Sequence, residues 1–158
     1  MPKSRVSDEA TSGAQPDCAF CQVVAGQNPA QIVFEDSVSV AFLDHRPLFP
    51  GHCLLAPRDH HETLAELPEE LIEPVFTNAQ QLARAVEVAM GAEGTFVAIN
   101  NRVSQSVPHL HVHIVPRRRK DGLKGFFWPR QRYEGGEHME ATAQAIRSAL
   151  SKLAHTLR

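Results

Sequence analysis

The stretch that decides the fold is His109-Leu110-His111-Val112-His113-Ile114-Val115, followed by Pro116. Polar and apolar residues alternate with period two, the pattern of a half-buried strand. His109, His111 and His113 then share one face. Leu110, Val112, Ile114 and Val115 are expected on the face that packs against a core. Three imidazoles in a row compete for solvation and repel one another when protonated. A solvent-facing polar stripe is the bland reading of such a row. Three histidines can also bind zinc and leave an open catalytic position. A neutral imidazole, common at neutral pH because its ordinary pKa is about 6.5, can equally serve as a nucleophile.

Outward from this strand the chain reads as short strands and two long helices. Residues 32–35 and 38–43 form a hairpin, and 52–56 a third strand ended by Pro57. Pro68 opens a helix as a first-turn residue, with Glu69 and Glu70 favourable at its N-terminus. Leu71, Val75, Leu82, Val86 and Met90 trace one face of that helix as far as Gly91, a C-terminal stop. Pro74 is expected to kink the helix or shift its start. A fourth strand is expected over 95–100, a polar loop over 101–108, and the fifth strand over 110–115, stopped by Pro116. Ile146, Leu150, Leu153 and Leu157 step along one face of a last helix. Strands in succession without βαβ alternation predict an α+β fold, an antiparallel sheet of about five strands with two main helices. The expected organisation is a disordered arm over 1–16, one domain over 17–118, and a Gly/aromatic segment with a helix over 119–158.

The chain has 158 residues, 42% of them hydrophobic, enough for one domain with a core. A net charge of −2 gives no reason to expect binding to nucleic acid polymers. No apolar run approaches the roughly 18 residues of a membrane span. The opening Met1-Pro2-Lys3-Ser4-Arg5-Val6 lacks the apolar stretch of a secretory signal. A cytoplasmic location without membrane association is therefore expected. Three cysteines make a poor disulfide framework. Cys53 reads as a small core residue. Cys18 and Cys21 form a Cys-x-x-Cys pair that suits zinc, redox exchange or plain packing.

His109 to Val115 resembles the histidine triad pattern, His-φ-His-φ-His-φ-φ with φ apolar, at every position. Val33-Phe34-Glu35-Asp36, Ala41-Phe42-Leu43-Asp44, Pro50-Gly51-His52, Ala56-Pro57-Arg58-Asp59-His60, Asn100 and Gln105-Ser106-Val107 resemble the histidine triad family in the same order. The resemblance covers residues 18 to 117. It implies nucleotidyl transfer to water. The middle histidine, here His111, attacks the α-phosphorus of a nucleotide, and water hydrolyses the nucleotidyl-histidine. The substrates implied are dinucleoside polyphosphates or nucleoside phosphoramidates, with a purine base.

The resemblance places His113, Gln105 and Ser106 as donors around the phosphate, with Ser106 assisting the leaving group. Asp44 holds the ribose hydroxyls, a good match of charged acceptor to diol. Phe20, Val23 and Phe42 fall at the base pocket, where simple core packing is an equal reading for Phe20 and Phe42. His45 stands where an aliphatic residue is usual. Asn100 falls near the ribose or phosphate, and otherwise reads as a strand-end turn residue. Some members, and the related galactose-1-phosphate uridylyltransferases, complete a Cys2His2 zinc site. The matching residues are Cys18, Cys21, His60 and His109, with His61 an alternative to His60. The resemblance also implies a two-fold homodimer with a continuous sheet. Arg117 to Lys120 reads as a solvated hairpin end or a polyphosphate attractant. Phe126, Phe127 and Trp128 read as a lid or an interface. Two non-enzymatic classes remain: a nucleotide-binding module and a pure metal-binding module.

Overall fold

The computed structural model describes residues 13–123 and 131–156. The chain divides into two compact units, Met1–Asp121 and Gly122–Arg158. In the first unit, β1 (Ile32–Glu35) and β2 (Ser39–Leu43) form the expected antiparallel hairpin. Asp36 turns it: its Oδ1 accepts the backbone N–H groups of Val38 and Ser39, each at 2.8 Å, an Asx-type turn. The strands β3 (Cys53–Pro57), β4 (Gly94–Ala98) and β5 (Val112–Arg117) complete one antiparallel sheet of order β1-β2-β3-β5-β4.

Period-two alternation sorts the sheet into two faces. Ala41, Cys53, Leu55, Val112 and Ile114 pack against Ala79, Leu82 and Val86 of the helix α2 (Glu69–Met90). Val40, Phe42, Leu54 and Ala56 pack on the opposite side against Phe20 and Val23 of a short helix, α1 (Ala19–Val24). Cys53 is thus a small core residue, as expected, and is 3% exposed. The register pairs Phe42 with Leu54 and Leu54 with His113. The histidine face of β5 is therefore the α1 side. Val115 shares parity with the histidines, so it lies on their face and not with Val112 and Ile114.

Several element ends differ from expectation, each for a local reason. The strand β5 starts at Val112, so His109, Leu110 and His111 precede the ladder in an extended segment. The Leu110 N–H bonds to the His61 carbonyl instead. Pro116 does not stop β5. Beyond Ile114 the strand pairs only with β4, and a proline is tolerated where one side has no ladder partner. Pro57 likewise closes β3 from within, opposite Ser39. Ile99 and Asn100 lie outside β4. Pro68 caps α2 rather than opening it, and the helix is continuous through Pro74 with no shift of its start. Gly91 ends it in the left-handed conformation (φ +55°), a backbone that favours glycine.

The sequence pattern assigned no element to α1. Six residues are too few for a periodic stripe. Its cap is Cys18, whose sulfur accepts from the Cys21 N–H at 3.5 Å, outside the usual capping residues. In the second unit the expected last helix forms as α3 (Gly136–Thr156), with Ile146, Leu150 and Leu153 exposed. Leu157, Phe126 to Trp128 and residues 1–12 of the expected arm lie outside the described residues.

Candidate active site and adjoining cysteine–histidine cluster

The segment before β5 carries two histidines with different surroundings. His111 is 3% exposed, and its Nδ1 sits 2.6 Å from the backbone carbonyl oxygen of His109. A carbonyl only accepts, so Nδ1 carries the proton and Nε2 keeps a free lone pair. Because His109 lies outside the ladder, its carbonyl is available for this bond. Burial pulls the His111 pKa below the ordinary histidine value, partly opposed by that carbonyl and by Asp44. The ring is therefore neutral at neutral pH. Phe20 meets it edge-on, centroids 5.0 Å apart at 87°.

A second chain of bonds sets His113. The Leu48 N–H donates to His52 Nδ1 at 3.1 Å. A backbone amide only donates, so the His52 proton is on Nε2. That nitrogen lies 3.0 Å from His113 Nδ1, which must accept. The His113 proton is then on Nε2, a donor. Burial pulls His113 down to about 4, helped by His111 and His52. Burial also lowers His52, against the pull of the Asp44 carboxylate 3.7 Å away. With Nδ1 of His52 taken by the Leu48 N–H and Nδ1 of His113 by His52, these two histidines form a hydrogen-bonded row beside Asp44 and not, with it, a set of three free metal ligands.

A cavity of about 870 Å3 opens over this row. Phe20, Val23, Phe42, Asp44, His45, Ser106, His111 and His113 all line it, as the sequence reading groups them. Phe20 and Phe42 both pack in the core and face the cavity, so the two readings of them coexist. Asn100 and Gln105 do not line it. Both ends of the Gln105 amide are committed to backbone groups: Oε1 accepts from the Arg102 N–H in its own loop at 2.8 Å, and Nε2 donates to the Glu62 carbonyl of the segment after β3 at 2.6 Å. Arg102 and Ser104 in that loop adopt positive φ (66° and 60°), which non-glycine residues rarely do. The sequence reading missed Asn28, Gln31 and Arg46 on the cavity wall. It also gave His52 no role, although one more histidine in the cluster was a signal.

On the other side of His109 stands the cysteine cluster. His109 is fully buried, and its Nε2 lies 2.8 Å from the Pro57 carbonyl oxygen. The proton is thus on Nε2, and Nδ1 turns its lone pair to Cys18 Sγ at 3.5 Å and Cys21 Sγ at 3.6 Å. Cys21 Sγ lies 3.4 Å from His60 Nδ1. The four ligand atoms lie within 4.8 Å of one another. Tetrahedral zinc with Zn–S about 2.3 Å and Zn–N about 2.0–2.1 Å requires S···N edges of roughly 3.5 Å. The donor set and its spacing therefore fit zinc, with His60 rather than His61 in place. Burial lowers His109 to about 4 and raises the Cys21 thiol.

An antiparallel sheet here delivers a carbonyl-locked histidine into a cavity, beside a carboxylate, which makes the protein an α+β domain with a histidine row at its site. The HIT domain profile matches residues 25–120, and the chain belongs to the HIT domain family. It is 35% identical over 140 residues to an uncharacterized HIT-like protein of Mycobacterium tuberculosis, covering 85% of this chain and 94% of the relative. It is 35% identical over 114 residues to the adenosine 5′-monophosphoramidase hnt1 of Schizosaccharomyces pombe, covering 71% and 83%. A Zn-bound histidine triad family protein from Mycobacterium smegmatis superposes with a TM-score of 0.65 at 35% identity, covering 84% of this chain and 97% of that one. Among the described residues no helix is long and apolar enough to cross a membrane.

Proposed function

We propose that the protein is a nucleotide hydrolase that passes a nucleotidyl group from the α-phosphate to His111 Nε2 and then to water. The observation that carries this reading is the 2.6 Å bond from His111 Nδ1 to the His109 carbonyl, which leaves Nε2 as a neutral nucleophile in the cavity. In the first step the Nε2 lone pair bonds to the α-phosphorus, and the bond from phosphorus to the leaving oxygen or nitrogen breaks. The leaving atom takes a proton from solvent as it departs, with the Ser106 hydroxyl hydrogen-bonding to it. In the second step water adds its hydroxyl to phosphorus, the Nε2–P bond breaks, and the water proton leaves to solvent. His113, through Nε2–H, donates to the phosphate oxygens where negative charge gathers.

Asp44 holds the ribose hydroxyls, and Phe20, Val23, Phe42 and His45 receive a purine base. Gln105 acts from behind, through its bonds to the Arg102 N–H and the Glu62 carbonyl, as a support of the loop that carries Ser106. Cys18, Cys21, His60 and His109 hold a structural zinc ion, which the Zn-bound relative also favours. The ion would supply cross-linking and no part of the chemistry. The terminal strand β4, with Val97 48% exposed, is the edge through which a homodimer would continue the sheet.

The phosphoramidase activity named for the fission yeast relative favours nucleoside phosphoramidates as one substrate class, and dinucleoside polyphosphates are the other. The test is release of AMP from AMP phosphoramidate and from diadenosine polyphosphates by wild type and His111→Ala. Turnover by wild type alone supports the reading, and the substrate consumed names the branch. Background release by both proteins overturns it in favour of a non-catalytic nucleotide-binding module.

A further inference from the structure

Resting on the nucleotide-site reading above, we propose that Arg46 binds a second phosphate group of the substrate, beyond the α-phosphate. Arg46 lines the same cavity as Asp44, His111 and His113. Its backbone is fixed there, because its N–H donates to Asp44 Oδ1 at 2.9 Å. Arg46 follows Asp44 by two residues, and Asp44, His52 and His113 offer polar atoms within 4.8 Å of one another, so the arginine is rooted beside that cluster. Its side chain is exposed and makes no hydrogen bond or ion pair among the described residues. Arg58, Arg102, Arg117 and Arg119 are by contrast paired with Glu35, Glu66, Asp121 and Glu93.

Charge and volume say what an unspent guanidinium does in this place. Asp44 is the acidic side chain on the cavity wall and repels any anion bound near it. Neutral His113 and Ser106 can hydrogen-bond one phosphate, but they bring no positive charge. A substrate with a further phosphate needs a cation to offset Asp44, and guanidinium grips phosphate through paired N–H donors. The cavity of about 870 Å3 lies toward the upper end of ligand-site volumes, roughly 300–1,000 Å3, so it has room beyond a mononucleotide.

The second phosphate can sit on the leaving-group side or on the ribose, and one experiment separates them. Affinities of AMP, ADP and adenosine 3′,5′-bisphosphate are measured by calorimetry for wild type and Arg46→Gln. Because Arg46 is exposed, the variant is expected to fold normally. Wild type should bind ADP or adenosine 3′,5′-bisphosphate about tenfold more tightly than AMP, and Arg46→Gln should lose that gain. A gain for ADP places the group on the leaving side, and a gain for the 3′,5′-isomer places it on the ribose. Equal affinities for all three ligands in wild type, or a gain that survives in Arg46→Gln, overturns the proposal. Binding needs no turnover, so failure of the hydrolase reading shows separately in the AMP-release comparison with His111→Ala.

Discussion

Replacing His52 by leucine should weaken catalysis through His113 without touching substrate. His52 is 3% exposed and has its two ring nitrogens bonded to the Leu48 N–H and to His113 Nδ1. Leucine fills a similar volume but deletes both bonds. Each neutral hydrogen bond contributes about 1 kcal/mol net, so stability should fall by roughly 1–2 kcal/mol, with the fold intact. The effect on rate comes from the tautomer. Without a donor at Nδ1, His113 is free to move its proton there and to turn its ring. A hydrogen bond to a charged phosphate is worth about 1.5–3 kcal/mol, and His113 loses orientation rather than identity, so the lower end applies. That corresponds to about a tenfold fall in kcat/KM for AMP release. His52→Gln keeps an N–H near the position of Nε2–H and should recover most of the loss. Proton–nitrogen correlation spectra of the imidazoles supply an independent readout: the His113 proton should be on Nε2 in wild type and divided between the nitrogens in His52→Leu. A folded His52→Leu protein with wild-type kcat/KM, or a glutamine variant no better than leucine, would refute the relay.

Three further outcomes follow from the same geometry. Purified protein should carry about one zinc per chain by elemental analysis, and Cys18→Ala or His60→Ala should lose the metal and lower the melting temperature. In the metal-free protein, stability should fall with acid. His109 and His113 hold pKa values of about 4, against about 6.5 when unfolded, so above pH 6.5 neither state is charged. Between pH 6.5 and 4 the unfolded chain takes up protons that the folded one refuses, and urea midpoints should drop across that window. An unchanged midpoint from pH 7.5 to 4.5 would contradict the burial of both rings. A charge on the β4 edge, Val97→Glu, should shift the protein to monomers in sedimentation velocity if that edge joins two copies.

The histidine alternation was legible because its period is a property of the chain alone, and it fixed which side of β5 meets α2. The hairpin at Asp36 and the helix stop at Gly91 were legible for the same reason: each is written in residues that make their own local structure. The limits of β5 were not, since Pro116 stops a strand only where a ladder partner lies on its N–H side, and that depends on how far β3 extends. The short α1 was hidden because its stability comes from Phe20 and Val23 packing on Phe42 and Leu54, partners remote in sequence. The grouping of Asp44, Ser106, His111 and His113 was readable through family resemblance. The commitment of Gln105 to the Arg102 N–H and the Glu62 carbonyl was not, because an amide side chain gives no sign of which partner it will take.

The bond row that begins at the Leu48 amide has a consequence for proton supply. A carboxylate that fixes the polarity of a histidine is a partner that can itself gain a proton. Here the first donor is a peptide group, which has no protonation equilibrium in the biological range. His52 and His113, both held below the ordinary histidine value by burial, pass its direction on without becoming charged. The orientation of the His113 Nε2–H donor toward the cavity is thus insulated from swings of pH around neutrality.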